Sequence, residues 1–218
     1  MRHFGIFSLI LLTTILSACQ VFNRQSTTDN TTQKSIRLQG HLTQDEHERW
    51  IFHPCNQETG SILQPSHELS KEIEDLAPEA PHGLFADLSG HYNEKNHFTP
   101  TQRYRLQTEG FNCNDPDFTR LLVRASGNEP FWSLLQTPKG LIFHLPNQSA
   151  LALPYMEEKL PDGRHHLSTE ANDSLLRLWL TPQSCTDNMS GTVHHLTARL
   201  QWNENIHYGC ASFGGLRQ

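Results

Sequence analysis

From Ile36 onward the chain sets its apolar side chains in short runs broken by turn-forming residues, and only one stretch repeats them at helical spacing. Runs of this kind, in period two, describe half-buried strands of an antiparallel sheet. Ile36, Leu38 and Leu42 are followed, across a charged turn at 44–48, by Trp50-Ile51-Phe52, which predicts a hairpin. Further strands are expected at 84–92, 103–106, 121–125, 131–136, 141–145, 149–153, 166–169, 175–181, 193–202 and 207–210. Leu69, Ile73 and Leu76 fall at i, i+4 and i+7 and predict one short helix, stopped by Pro78 and Pro81. The expectation is an all-β fold, an antiparallel sandwich or small barrels, in two modules with one short helix. The modules are placed at 36–117 and 118–218.

The N-terminus reads differently. Arg2 and His3 precede an apolar run over 4–16 that ends in Leu16-Ser17-Ala18-Cys19. A basic start, a short apolar core and small residues before a cleavage point are the layout of a secretory signal. The run falls short of the roughly 20 residues that a membrane span needs. Leu16 to Cys19 resembles the lipobox of bacterial lipoproteins, whose cysteine is thioether-linked to diacylglycerol and becomes the mature N-terminus. The competing reading is an ordinary secretory signal with a chance cysteine. The lipobox predicts a signal peptide at 1–18, acylation at Cys19 and a membrane partner held through lipid. Gln20 follows the cysteine where an Asp would favour retention at the inner membrane, so the expected location is the outer membrane, facing the periplasm. Residues 19–35, rich in Thr, Ser, Asn and Gln, bury too little to offset their ordering entropy and are expected to be a flexible tether.

With Cys19 committed to lipid, Cys55, Cys113, Cys185 and Cys210 remain. An even number in an exported chain predicts disulfides. Three pairings are possible, and the two-module organisation favours Cys55–Cys113 with Cys185–Cys210. A zinc site is the competing reading, but the paired C-x₂₋₄-C spacing of such sites is missing. The formal net charge of −6 is spread evenly along the chain and argues against a nucleic-acid partner.

The densest local motif is Gly127-Asn128-Glu129-Pro130-Phe131-Trp132. Gly and Asn tolerate positive φ and Pro fixes its own, so the segment reads as a tight turn feeding two large rings toward a core. A buried Trp132 makes this turn a scaffold, which is the expectation; an exposed one would make it a binding surface. Taken with Asp187, Met189 and Ser190 in Cys185-Thr186-Asp187-Asn188-Met189-Ser190 and with Gly209-Cys210-Ala211, it is similar to a family of small bacterial periplasmic lipoproteins. That family carries an (R)-A-x-G-N-E-P-F-W turn, then C-x-D-G-M-S-D, then a closing G-C-A. The match runs over about 121–212. This chain departs from it with Asn188 for Gly and Gly191 for the second acid. Phe52-His53-Pro54-Cys55 and 85–92 look like the domain that often precedes it. The resemblance implies an envelope location and a β fold and brings no assigned activity. A fainter similarity to META-type domains bears on architecture alone.

Fourteen histidines invite a metal reading. His165-His166 and His194-His195 are adjacent pairs, and each pair offers one ring per strand face. If their strands were neighbours, two rings would share a face near His144 or His207 and make a copper or zinc site. These are weak candidates beside solvated strand histidines, and no metal or other cofactor is assigned. No G-x-S-x-G, S-x-x-K or H-E-x-x-H occurs, and Glu129 with Asp187 would make a carboxylate pair of the kind used on sugars only if the fold brought them within reach of each other. The sequence therefore reads as a non-catalytic, lipid-anchored envelope protein with a binding or envelope-integrity role. The sequence does not identify its partner, for which an envelope protein or peptidoglycan is a candidate, and the alternatives are a periplasmic copper- or zinc-binding lipoprotein and an inhibitor of an envelope hydrolase.

Overall fold

Leu42 and Phe52 are each fully buried between half-buried neighbours, and that period makes their segments strands with one buried face. In the computed structural model, which describes residues 34–171 and 174–217, these are β1 (Ile36–Gln44) and β2 (Trp50–Pro54). They pair as the expected hairpin, with Leu42 opposite Phe52. The expected signal segment 1–18, the expected acylation site Cys19 and the expected tether as far as residue 33 lie outside the described residues. Among the described residues no helix is long and apolar enough to cross a membrane.

A two-residue strand β3 (Ser61–Ile62) leads into helix α1 (His67–Leu76). Ser66 caps the helix by accepting the Leu69 N–H at 3.3 Å, and Leu69 and Ile73 are its buried residues. The helix gives way to a 3₁₀ turn at Ala77–Glu79, where Pro78 cannot continue it. Then come β4 (Leu84–Tyr92) and β5 (Phe98–Gln107). The strand order β3-β2-β1-β4-β5 places the fourth strand beside the first, which is a Greek key. A parallel bridge from Leu63 to Phe98, with the Gln64 N–H donating to the Phe98 carbonyl at 2.8 Å, brings the last strand back to the end of the third. A partly open five-stranded Greek-key barrel is the arrangement of the OB-fold; it carries no function by itself. Leu42, Phe52, Ile73, Leu84, Leu88, Phe98 and Leu106 fill it.

The remaining strands are β6 (Val123–Asn128), β7 (Phe131–Thr137), β8 (Gly140–His144), β9 (Leu151–Leu153), β10 (Met156–Lys159), β11 (His165–Ala171), β12 (Ser174–Thr186), β13 (Val193–Trp202) and β14 (Asn205–Phe213). They run in the order β10-β11-β12-β13-β14-β6-β7-β8-β9. Trp132, Leu134, Phe143, Leu153, Leu167, Leu178 and Leu200 share one core, so this sheet curls around it. Its edges β9 and β10 do not pair, but Gln136 of β7 donates to Glu157 of β10 at 2.8 Å across the gap.

The two parts meet on β13. Its first residues pair with β5, Val193 opposite Leu106 and His194 opposite Arg105, and from Leu196 on the same edge pairs with β14. The sheet forks there. The chain is all-β and antiparallel with one short helix. Disulfides join Cys55 to Cys113 and Cys185 to Cys210, with Cα–Cα separations of 5.3 and 5.5 Å. Sequence placed β5 and β12 too short and gave no sign of β10, whose Met-Glu-Glu-Lys has no apolar alternation.

Candidate functional site

The two motif segments come together. The β6–β7 turn carries Gly127 to Trp132, and the loop after β12 carries Asp187 to Ser190. With β14 between them they form the walls of a groove of about 430 Å³. Local chemistry sets each wall. Asp187 Oδ1 accepts the N–H groups of Met189 at 2.8 Å and Ser190 at 3.0 Å, and Asp187 O accepts from Gly191 N, so this loop is a tight turn nucleated by one carboxylate. Gly191 closes it at φ 67°. Burial raises the Asp187 carboxyl, but those amides and Asn128 outweigh it and hold the group below the usual carboxylate range.

The walls are tied together. Asn128 Nδ2 lies 3.3 Å from each carboxylate oxygen of Asp187. The Cys185–Cys210 disulfide fastens the loop to β14. Trp132 is fully buried and donates from Nε1 to the Tyr208 carbonyl at 3.3 Å. A Cβ on Gly127 would stand 2.2 Å from that same oxygen and 2.3 Å from Trp132 Nε1, so only glycine allows the approach. Gly127 and Trp132 are thus scaffold. The expectation that both rings of Phe131-Trp132 turn to the core is corrected: Phe131 is half exposed, because neighbours on a strand face opposite ways.

What the scaffold presents is apolar. Met189 is 81% and Tyr208 68% exposed, both on the groove, and Phe131 sits beside it as the cross-strand partner of Asn128. The groove residues include two acids, Glu129 and Asp187, and no Lys, Arg or His. Tyr208 also ends a line of cross-strand neighbours that sequence did not reveal: Glu158, His166, Trp179, Arg199 and Tyr208, one from each strand β10 to β14. His166 Nδ1 meets Glu158 at 2.8 Å, its ring stacks on Trp179 at 5.0 Å, and Arg199 lies 4.5 Å over the same indole. Pairing register, not local pattern, assembles this row. A second concavity of about 500 Å³ follows the β8–β9 edge beside Lys139 and Arg120.

No protein-family profile, curated protein or solved structure matches the chain.

The histidine pairs are not neighbours. β12 stands between β11, with His165 and His166, and β13, with His194 and His195. His165 meets Glu157 at 2.9 Å and the Arg217 guanidinium at 2.9 Å, a cation set against any metal there. His195 donates from Nδ1 to the Tyr104 carbonyl at 3.1 Å, and its ring packs against Tyr104 and Phe213. Burial pushes His194 and His195 down to about 4. Among the described residues no group of three or more His, Cys, Asp or Glu is placed to hold a metal ion. Glu129 is exposed while Asp187 is occupied in its turn, so the two carboxylates have different structural duties.

Proposed function

We propose that this chain is an exported, lipid-anchored envelope protein that acts by binding, without catalysis, and that its partner is a protein segment pairing a basic side chain with an apolar one. The export and anchoring part rests on the basic-apolar-small pattern ending at Cys19. The two disulfides support it, since bonded thiols persist in oxidising compartments. The binding part rests on one observation: a groove fixed by a disulfide, a buried tryptophan and a carboxylate turn presents Met189 and Tyr208 to solvent beside Glu129 and Asp187. Rigid walls lower the ordering cost of association, and exposed aromatic and methionine side chains contribute most per residue to interfaces. The acids without a base favour a cationic partner.

The test is site-specific photocrosslinking in cells producing the full chain. A photoreactive residue at Met189 or Tyr208 is expected to give a discrete protein adduct that one at Lys71, exposed on α1, does not. Glu129→Lys is expected to weaken the adduct about tenfold, the effect of about 1.4 kcal/mol. Adducts to glycan strands in place of protein, or equal labelling from all three positions, would overturn the reading.

A further inference from the structure

The row of side chains across β10 to β14 places one cation beside the acidic groove. Its members hold one another in turn. Glu158 fixes the His166 ring through Nδ1 at 2.8 Å, that ring stacks on Trp179 at 5.0 Å, and Arg199 lies 4.5 Å over the same indole. β11 and β13 flank β12, so His166 and Arg199 reach Trp179 from opposite sides. Among the described residues the Arg199 guanidinium has no hydrogen bond and no ion pair, whereas Arg177, on the Trp179 face of β12, has Glu170 at 3.6 Å. A guanidinium keeps its five N–H donors in a planar fork suited to a carboxylate, and stacking on an indole leaves the edge of that fork open. Stacking also fixes part of the side chain before any partner arrives, which lowers the ordering cost of binding.

Arg199 adjoins the groove along the strand and across it. On β13 it follows Thr197, a groove residue, at the next position on the same strand face, and it is the cross-strand partner of Tyr208. In the order β13-β14-β6, Tyr208 lies between Arg199 and the turn that carries Glu129, and its carbonyl is the atom that a Cβ on Gly127 would meet. The surface therefore has a fixed charge order. Glu129 and Asp187 come first, then the exposed Met189 and Tyr208, then the Arg199 guanidinium. Two strand spacings, about 10 Å, separate β13 from β6, and an extended segment covers that distance in about three residues.

We propose that Arg199 receives a carboxylate of the protein segment that fills the groove, an Asp or Glu side chain set about three residues from the base that meets Glu129 and Asp187. This rests on the reading of the groove as a site for a basic and apolar segment, and it adds the acidic end of that segment and its direction. The segment runs across the strands, with its base over the β6–β7 turn and its acid over β13. A purely basic segment meets Arg199 as a like charge, so Arg199 selects against it. Trp179 is then a positioning residue, acting through the guanidinium it holds.

Photocrosslinking from Met189 in cells producing the full chain tests this, with the captured segment identified by peptide mass spectrometry and its acid then exchanged for lysine. Arg199→Glu alone and the lysine exchange alone are each expected to cut the adduct about tenfold. Together they are expected to restore it to within about twofold of wild type, as coupled opposite charges do. A misfolded variant is not rescued by a change in its partner, so the restored adduct also reports folding. Trp179→Ala is expected to weaken the adduct in the wild-type background and to add nothing in Arg199→Gln. An adduct that responds to Glu129→Lys but not to Arg199→Glu keeps the groove reading and overturns this proposal. A segment without an acid, or a loss at Arg199→Glu that the lysine exchange leaves unrescued, overturns it too. No discrete protein adduct from Met189, or one to lipid or glycan, overturns both.

Discussion

Asn128, in the β6–β7 turn, faces Asp187, in the loop after β12, with its amide nitrogen equidistant from the two carboxylate oxygens at 3.3 Å. Asp187 therefore serves two purposes: its Oδ1 holds its own turn and the carboxylate as a whole joins the turn to the opposite wall. Asp187→Ala is expected to destabilise by about 2 kcal/mol, since the amides of Met189 and Ser190 lose their acceptor. Asn128→Ala should cost less, and the pair should be non-additive by more than about 0.5 kcal/mol. Denaturant unfolding of the two single variants and the double variant checks this, and strict additivity would contradict the link.

The Cys185–Cys210 bond closes a segment with a sequence separation of 25. Loop entropy for that length corresponds to about 3 kcal/mol. Cys185→Ser, Cys210→Ser and the double variant are all expected to lose that same amount, because each removes one shared bond. Losses that sum in the double variant would show that the two thiols act independently.

Gly127 and Trp132 test the scaffold. Gly127→Ala places a methyl 2.2 Å from the Tyr208 carbonyl, which is backbone and has no room to retreat. A loss above about 3 kcal/mol is expected, in the range of overpacked cores. Trp132→Phe removes the Nε1–Tyr208 hydrogen bond and leaves a void, for about 2–3 kcal/mol. Urea midpoints decide both, and a neutral Gly127→Ala would refute the close approach.

How much of this was legible beforehand differs by feature. Alternation marked most strands, and Leu69, Ile73 and Leu76 with the following prolines marked the helix within a residue or two, because those signals are local. β10 was invisible: Met156–Lys159 is a strand by virtue of its partner, Glu158 opposite His166, and nothing in Met-Glu-Glu-Lys requires it. The motif residues were recognisable one segment at a time. Their meeting was not, since it depends on β14 pairing with β6. The ion pair between Arg37 of β1 and Asp87 of β4 left no trace, each charge looking like any other polar residue in an alternating strand. The doubled ring Phe131-Trp132 held the one clue passed over, since period two sends one of them outward.

His194 and His195 give a pH dependence with a definite sign. Burial disfavours their charged form; Arg105 adds to the penalty at His194, and Arg37 and Arg105 add to it at His195, while Asp187 and Asp87 respectively offset part of it. Both rings fall from the ordinary imidazole value of 6.5 to about 4. A depressed folded value means that their contribution is complete above pH 6.5 and is lost as the pH falls toward 4. Each ring is expected to account for up to about 3 kcal/mol. The stability difference between wild type and His194→Gln/His195→Gln, followed by urea unfolding from pH 7.5 to 4.5, should shrink across that window. A difference independent of pH would show that the rings are not held neutral.

The intact mass of the protein isolated from its native cells bears most directly on the reading of an exported, anchored binder. A chain that starts at Cys19, carries diacylglycerol there and has Cys55, Cys113, Cys185 and Cys210 all oxidised is the predicted result, with acylation lost in Cys19→Ser. A chain retaining Met1, with no acyl group and four free thiols, would contradict it.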